Sequence, residues 1–572
     1  MPLIALGRDE EIDMTKKVVS LVLIGLDSLI LAGFYWIYLP PINVMSLEFW
    51  FFMILALILT MVSLFILSLF GLKKTVTSFF TQKSGRKDVT SGLSLKQLTG
   101  GIKWLGLALA VIIAGLSLLL AVNTRMFRAK SYAHVIKVKD ADFNKDFPDT
   151  DLSALALLDR DSAEKIGDTY LGTIDKVSQF GISDEYRQIT IGKLPYRVSP
   201  LEYKSFWKWL TNRKDGIGYY VKVNQTTGKA ELVKLKQPMK YSHSEFMFRD
   251  TMRHLRFQYP MTIFSDPSFE VDDDGNPYYV ATTYAPKFGL SSQDPTGVIL
   301  LDAVSGKSKY YDLKDVPKWV DRVYSADNVL ERVNDYYTYQ KGYWNTVFSQ
   351  TDVKQTTDSY NYITIGSDIY LYTGITSATA DSSNLGFILV NMRTREITNY
   401  KLPSATEASA MKSAEGEVQE KKYTATAPTL VKLNDKAYYL ISLKDGAGLI
   451  KSYALVDAED YQQVTVNNDI QVLISQFTDK DTSSLSVSDT SDQKVKMITG
   501  QVEQLASQII SGATVYYISS KGQIYKIKAS SETSDRLPFL KVGDQFKAQL
   551  ADDNYLNHLT IESSSADQAL TE

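Results

Sequence analysis

Three long apolar runs crowd the first 122 residues, and they constrain this chain more than any other feature. Val18 to Leu39 is broken once, by Asp27; Phe49 to Leu72 is 24 residues without a charge; Trp104 to Val122 is 19 without one. About 20 apolar residues in a helix rising ~1.5 Å per residue cross the hydrocarbon core of a bilayer. The runs therefore predict contact with the lipid bilayer via 18–39, 49–72 and 104–122, as a three-helix transmembrane anchor over 18–123. No small-residue cleavage site follows the first run, and a second span starts within ten residues, so a cleavable signal peptide is not expected.

Loop charge sets the orientation. The 73–103 loop carries Lys73, Lys74, Lys83, Arg86, Lys87, Lys96 and Lys103 against the single acid Asp88, and the Pro40–Ser46 turn has no basic residue. This predicts a cytoplasmic N-terminus (1–17), a cytoplasmic 73–103 loop, and an extracytoplasmic region after the third span. Arg125, Arg128 and Lys130 run against the rule. Tyr35, Trp36, Tyr38 and Trp50 suit an aromatic belt at the outer interface.

The two parts differ in charge. Residues 1–130 hold 13 Lys/Arg and 7 Asp/Glu, which leaves 49 and 58 for residues 131–572. An acidic exterior argues against a nucleic-acid partner. The chain has no cysteine, hence no disulfide, thiolate metal site or cysteine nucleophile. His134, His243, His254 and His558 are scattered. Gly306-Lys307-Ser308 ends like a phosphate loop, but Leu301 stands where its first glycine belongs. Asp272-Asp273-Asp274-Gly275-Asn276 fails as an EF-type calcium loop, because counting from Glu270 puts Ala281 at the twelfth position; a hairpin turn is the favoured reading. No enzyme, cofactor or metal centre is expected.

Beyond Arg125 the pattern is short Tyr/Val/Ile-rich strands between Gly, Asn, Asp and Ser turns, a membrane-anchored α+β chain with a multi-domain, β-rich extracytoplasmic region. Strands are predicted at 218–223, 278–284, 297–302, 369–376, 386–391, 437–443 and 453–457. Helices are predicted at 201–213, 244–257, 316–337 (with Asp315 as N-cap and Pro317 in the first turn) and 405–420. Gly218–Lys229 aligns with Gly297–Lys307, and weaker copies start at Gly386 and Tyr453. The unequal spacings suit α+β units in series rather than a solenoid or propeller.

The strand endings Asn224-Gln-Thr-Thr-Gly228-Lys229 and Asp302-Ala-Val-Ser-Gly306-Lys307 resemble the end of a PepSY-type module. That resemblance implies small extracytoplasmic binding or regulatory units, as in a Gram-positive cell envelope, and brings no catalytic residues. The expected domains are a juxtamembrane α/β segment (124–200), a PepSY-like repeat region (201–466), a linker (467–496), a small barrel (497–563) and a disordered tail (564–572). The polar stretch Asp479–Lys496 marks the linker. Five strand-like pieces, Met497–Leu505, Thr514–Ser519, Gln523–Lys528, Gln545–Leu550 and Leu559–Glu562, resemble an OB-type barrel.

Two features are candidate sites. On a 244–257 helix, Arg249, Arg253 and Arg256 would fall at i, i+4 and i+7, an edge suited to carboxylate or phosphate; pairing with Glu245 or Asp250 is the plain alternative. Asp27 sits ~15 Å into the first span, where a charge costs on the order of 2.5–3.5 kcal/mol. It reads as a relay or a polar lock to another subunit, or more simply as a hydrogen-bonded contact within the anchor. The expected function is a non-enzymatic, membrane-anchored scaffold or regulatory binding protein of the bacterial envelope, partnered by a membrane protein or an envelope polymer. The alternatives are a polymer-acting enzyme with unrecognised carboxylates and an accessory subunit of a transporter or channel.

Overall fold

A membrane-length run must satisfy every backbone N–H and C=O internally, and a helix does so. In the computed structural model the three runs form α1 (Leu3–Tyr38), α2 (Leu47–Thr81) and α3 (Leu95–Val122). Their membrane-length apolar stretches are Val18–Tyr38, Leu47–Ser68 and Gly100–Val122. The chain is thus a multi-pass membrane protein with a large strand-rich region after the third span. The structure describes residues 3–81, 95–170, 178–378, 383–478, 480, 482, 485, 496–510, 513–528, 537, 540–550 and 556–562. The loop side chains from Lys73 to Lys96, most of the 479–496 linker and the 564–572 tail lie outside them. The chain divides into two compact units, Met1–Ser488 and Asp489–Glu572.

In the first unit, α4 (Arg125–Ala133), β1 (Lys139–Asp142), α5 (Phe143–Asp146) and α6 (Arg160–Tyr170) lead into four sheets. In sheet I, β2 (Phe180–Ile182) and β3 (Arg187–Ile191) both pair with β4 (Leu194–Tyr203); α7 (Phe206–Asn212), β5 (Ile217–Asn224) and β6 (Ala230–Met239) follow. After α8 (Thr251–Gln258), sheet II repeats the plan. Here β7 (Ile263–Phe264) and β8 (Ser268–Val271) pair with β9 (Pro277–Pro286), followed by β10 (Gln293–Asp302) and β11 (Ser308–Asp312). Helices α9 (Ala326–Thr338) and α10 (Tyr343–Val347) precede sheet III, made of β12 (Lys354–Ile365), β13 (Asp368–Ser377), β14 (Ser383–Asn391) and β15 (Ile397–Ala405). β1 adds to β15 in parallel at its outer edge. After α11 (Glu407–Glu417), sheet IV sets β16 (Thr424–Ala425) and β17 (Thr429–Leu433) on β18 (Lys436–Lys444), then β19 (Ile450–Asp457) and β20 (Val464–Asn467), with α12 (Ile470–Ser475) behind.

Each sheet packs on the next. Sheets I and II share a core that includes Val198, Val221, Phe269 and Ile299. Val280, Val298, Ile369 and Ile388 belong to a core between II and III, and Phe387, Leu389, Tyr439 and Ile441 to one between III and IV. The segment 152–159 joins IV back to I. The Leu157 and Leu158 N–H groups donate to Gln225 O of sheet I, while Ser442 Oγ of sheet IV donates to Leu157 O. Lys444 pairs with Asp159 beside them. The leading strands meet inside: β3 lies against β8 and against the second strand of sheet III, β13, and β12 lies against β17. This is the layout of a small propeller rather than of α+β units in series. The spacings misled because helices of unequal length are inserted between equivalent sheets.

The repeated motif is real but is not a PepSY ending. It is the corner between the third and fourth strands of each sheet. Oδ1 of Asn224, Asp302, Asn391 and Asp457 accepts from the N–H groups two and three residues on, a local turn that Asn and Asp favour. Gly228 and Gly306 then take φ of 72° and 73°, and Arg395 holds the same place at φ 60° in the copy that lost its glycine. Asp272 and Gly275 build a related turn between β8 and β9, as the hairpin reading expected.

Three predicted helices are shorter than read. Residues 201–203 end β4, and Ser205 caps α7. Met247 takes φ 58°, which breaks 244–257 into a Met247–Arg249 turn and α8, with Asp250 as N-cap. Val316, Val320 and Val323 are buried in the II/III core ahead of α9, where Ser325 and not Asp315 caps the helix. The fourth, 405–420, contains α11 with Thr406 as cap.

The described residues of the second unit do not form the expected OB-like barrel. Met497–Leu505 is broken at Val502-Glu503 into β21 (Lys496–Gln501) and β22 (Gln504–Ile510). The halves join different sheets: β21 pairs with β25 (Gln545–Leu550), which pairs with β26 (Leu556–Glu562), and β22 pairs with β23 (Ala513–Ser520), which pairs with β24 (Gln523–Lys528). Two three-stranded sheets enclose Ile518, Ile527, Phe546 and Ala548.

Candidate functional site

The last carbonyls of a helix have no partner inside it and carry partial negative charge. α1 has no basic residue in its last turn. Two of the sequence-flagged arginines, from α8, supply what it lacks. Arg256 Nε donates to Leu39 O at 2.9 Å and its Nη1 to Thr262 O at 2.5 Å, with the guanidinium 4.0 Å from the Phe264 ring. It is 2% exposed, and burial pushes its pKa down to about 10. Arg253 lies over the Trp36 ring at 4.4 Å, donates from Nη2 to Trp36 O at 3.4 Å and pairs with Asp250 at 3.7 Å. The turn after α1 joins the same contact: Ile42 N donates to Pro260 O at 2.7 Å, and Asn43 Nδ2 to Met261 O at 2.8 Å.

Arg249 stands apart from the other two. It sits in the turn before α8, where Nη2 meets Glu245 Oε2 and Arg213 O, both at 2.9 Å. The three arginines thus do not form one helical edge, and an anionic partner would compete with contacts each already makes.

Another arginine holds the end of α3. Arg125 Nε meets Asp335 Oδ1 at 2.5 Å, and its Nη2 pairs with Glu331, both acids on α9. Tyr132 OH donates to Asn123 O at 2.9 Å and Ser291 Oγ to Leu120 O at 3.3 Å. Gly289, at φ 54°, lets its loop approach α3: a Cβ there would lie 2.9 Å from Asn123 Nδ2.

Where sheets I, II and III meet, charged groups gather around two buried carboxyls, Glu270 and Asp321. Arg187 Nε is 3.0 Å from Glu270 Oε1; Asp321 N donates to Glu270 Oε2 at 3.3 Å; Thr190 N donates to Asp321 Oδ2 at 2.6 Å. Burial raises both carboxyl pKa values, that of Asp321 further because Glu270 faces it. Arg322 lies over the Tyr362 ring at 4.1 Å, and burial, then Arg322, bring Arg197 down to about 10. Nearby, His243 Nε2 donates to Pro267 O at 2.7 Å, which leaves Nδ1 to accept from Thr251 Oγ1. These residues are far apart in the chain and carry no motif, so nothing in the sequence pointed to them. Glu270 and Asp321 are buried, so the cluster ties three sheets together and can hold a proton there. Asp27 accepts from Ser63 Oγ of α2 at 2.8 Å, a contact within the anchor.

No protein-family model matches the chain, so the PepSY resemblance finds no support, and no curated protein matches it either. Among solved structures, the crystal structure of polysaccharide lyase Uly1 is similar over 67% of this chain and 77% of that one, at 10% identity. Its TM-score of 0.15 is too low to carry an argument about fold or activity.

Proposed function

We propose that the chain is a non-enzymatic, membrane-anchored scaffold or regulatory binding protein of a bacterial cell envelope, with its ring of sheets outside the cell. The observation that carries this reading is the double attachment of the ring to the anchor, at α1 through Arg253 and Arg256 and at α3 through Arg125. A simple tether needs neither. A ring fixed at both span ends presents its surface to envelope partners at a set attitude to the bilayer. The basic 73–103 loop supports the orientation, and the ion pairs of Arg125 remove one of the three basic residues that argued against it.

Cross-linking in intact membranes followed by co-purification tests the reading. Specific envelope proteins or wall polymer should be captured by the parent chain, and capture should fall when Arg253 and Arg256 are both replaced by Gln. Degradation of wall polymer by the purified full chain would overturn the non-enzymatic assignment.

A further inference from the structure

α4 starts three residues after α3 ends, so its first turns lie within about 10 Å of the membrane span. Residues at that depth meet lipid headgroups, yet α4 turns large apolar side chains outward there. Phe127 is 66% exposed and Met126 42%. α10 packs against α4 and continues the surface with Trp344, Val347 and Phe348, at 55%, 49% and 77% exposed. The Trp344 and Phe348 rings stack at 5.7 Å, so the face presents paired aromatics rather than scattered side chains. The pair Arg125–Asp335 fixes α9, and with it α10, beside the end of α3.

We infer that this five-residue face is seated in the lipid interface around the outer end of α3. Lipid is the occupant because the face is continuous with a span: three residues separate Val122 from Met126, so it cannot leave the bilayer surface while α3 crosses it. The composition agrees. Trp and Phe suit the interfacial layer, and the exposed Arg128 and Lys130 on α4 can reach headgroup phosphates while their stems lie on the apolar face. The end of α1 repeats the arrangement, with exposed Phe248 packed 5.3 Å from Trp36. The exterior therefore rests on the membrane through aromatic shelves as well as hanging from its spans. This holds whichever face of the membrane the ring occupies.

The absence of cysteine allows a clean test, because Phe348→Cys in the full chain offers one labelling site. A spin label there, in nanodiscs of phosphatidylcholine and phosphatidylglycerol, should collide readily with lipid-soluble oxygen and lose most of its collisions with an aqueous nickel chelate. In the unlabelled protein, brominated lipid should quench part of the tryptophan emission, and Trp344→Phe should reduce that part, leaving the share of Trp36, Trp50 and Trp104 in the spans. A label as open to nickel as free label in water would overturn the proposal. So would a label shielded from both quenchers, which would mean that protein, such as a second copy of the chain, covers the face.

Discussion

The ring grips the anchor at two span ends, and the two grips use arginine differently. At α1, Arg256 is buried and donates to backbone carbonyls, with no carboxylate among its hydrogen-bond partners. At α3, Arg125 is about one-third exposed and pairs with two carboxylates. The first contact answers a need of the backbone, since carbonyls at the end of a span have no intrahelical donor and little water. The second is an ion pair between side chains, partly open to solvent and salt. A helix end can be held by completing its hydrogen bonds or by charge complementarity, and the two should fail under different conditions.

Arg256→Gln should give the largest effect. It removes a buried cation and leaves Leu39 O and Thr262 O without their donor, a loss of about 2–4 kcal/mol. Thermal unfolding of the full chain in nanodiscs measures it, and the loss should be nearly independent of salt. Arg256→Lys should recover only part, because one ammonium cannot reproduce the planar fork that spans both carbonyls. Unchanged stability in the Gln variant would mean that water caps α1 equally well.

Arg125→Gln should cost less, about 1 kcal/mol after allowing for solvent screening. Asp335 keeps Arg332 at 3.5 Å, so its charge is not abandoned. Unlike the first loss, this one should shrink as salt rises, since the parent contact is itself screened. Equal salt dependence at both sites would erase the distinction between the grips.

The cluster of buried carboxyls among sheets I, II and III contrasts with both grips through pH. Burial raises the carboxyls of Glu270 and Asp321, so the folded state holds protons that the unfolded state has released. Their contribution is fully present below the unfolded carboxyl value near 4, and it is lost as pH rises through the raised folded values. Stability should therefore decline with rising pH in that window, by at most ~1.4 kcal/mol per pH unit for each proton. Asp321→Asn keeps an acceptor for Thr190 N and should flatten the slope. An unaltered slope would place the proton elsewhere.

What the sequence revealed follows from the range of the interaction involved. The spans and the Asx corners at Asn224 and Asp302 are local and were legible in a run of residues. The arginines were noticed, but Arg256 meets Leu39 across 217 positions, so a local reading could only aim them at an outside anion. The Val316–Val323 stretch has helical spacing yet folds as irregular core, because sheets II and III both cover it. Closure of the ring through 152–159 and β1 rests on short segments that carry no strong pattern of their own. The broken strand at Val502-Glu503 hid the split of the last unit into two sheets for the same reason.

Asp27 is the point where the anchor itself can be set against the grips, and it should give the smallest effect. Its side-chain oxygen accepts a hydrogen bond from Ser63 Oγ, between α1 and α2. An asparagine is nearly isosteric and keeps a carbonyl oxygen for that hydroxyl, so Asp27→Asn should change stability by less than about 1 kcal/mol; intramembrane polar contacts measured by double-mutant cycles average ~0.6 kcal/mol. The same variant removes the only carboxyl group in the first span. A chain that serves as an envelope scaffold should therefore capture its partners equally well with the aspartate or with the asparagine. Loss of function with stability intact would make Asp27 a relay and move the assignment toward a transporter or channel subunit. Ser63→Ala completes the comparison: if both variants leave partner capture unchanged, the pair serves only to register α1 against α2, and what matters to function lies at the outer ends of the spans.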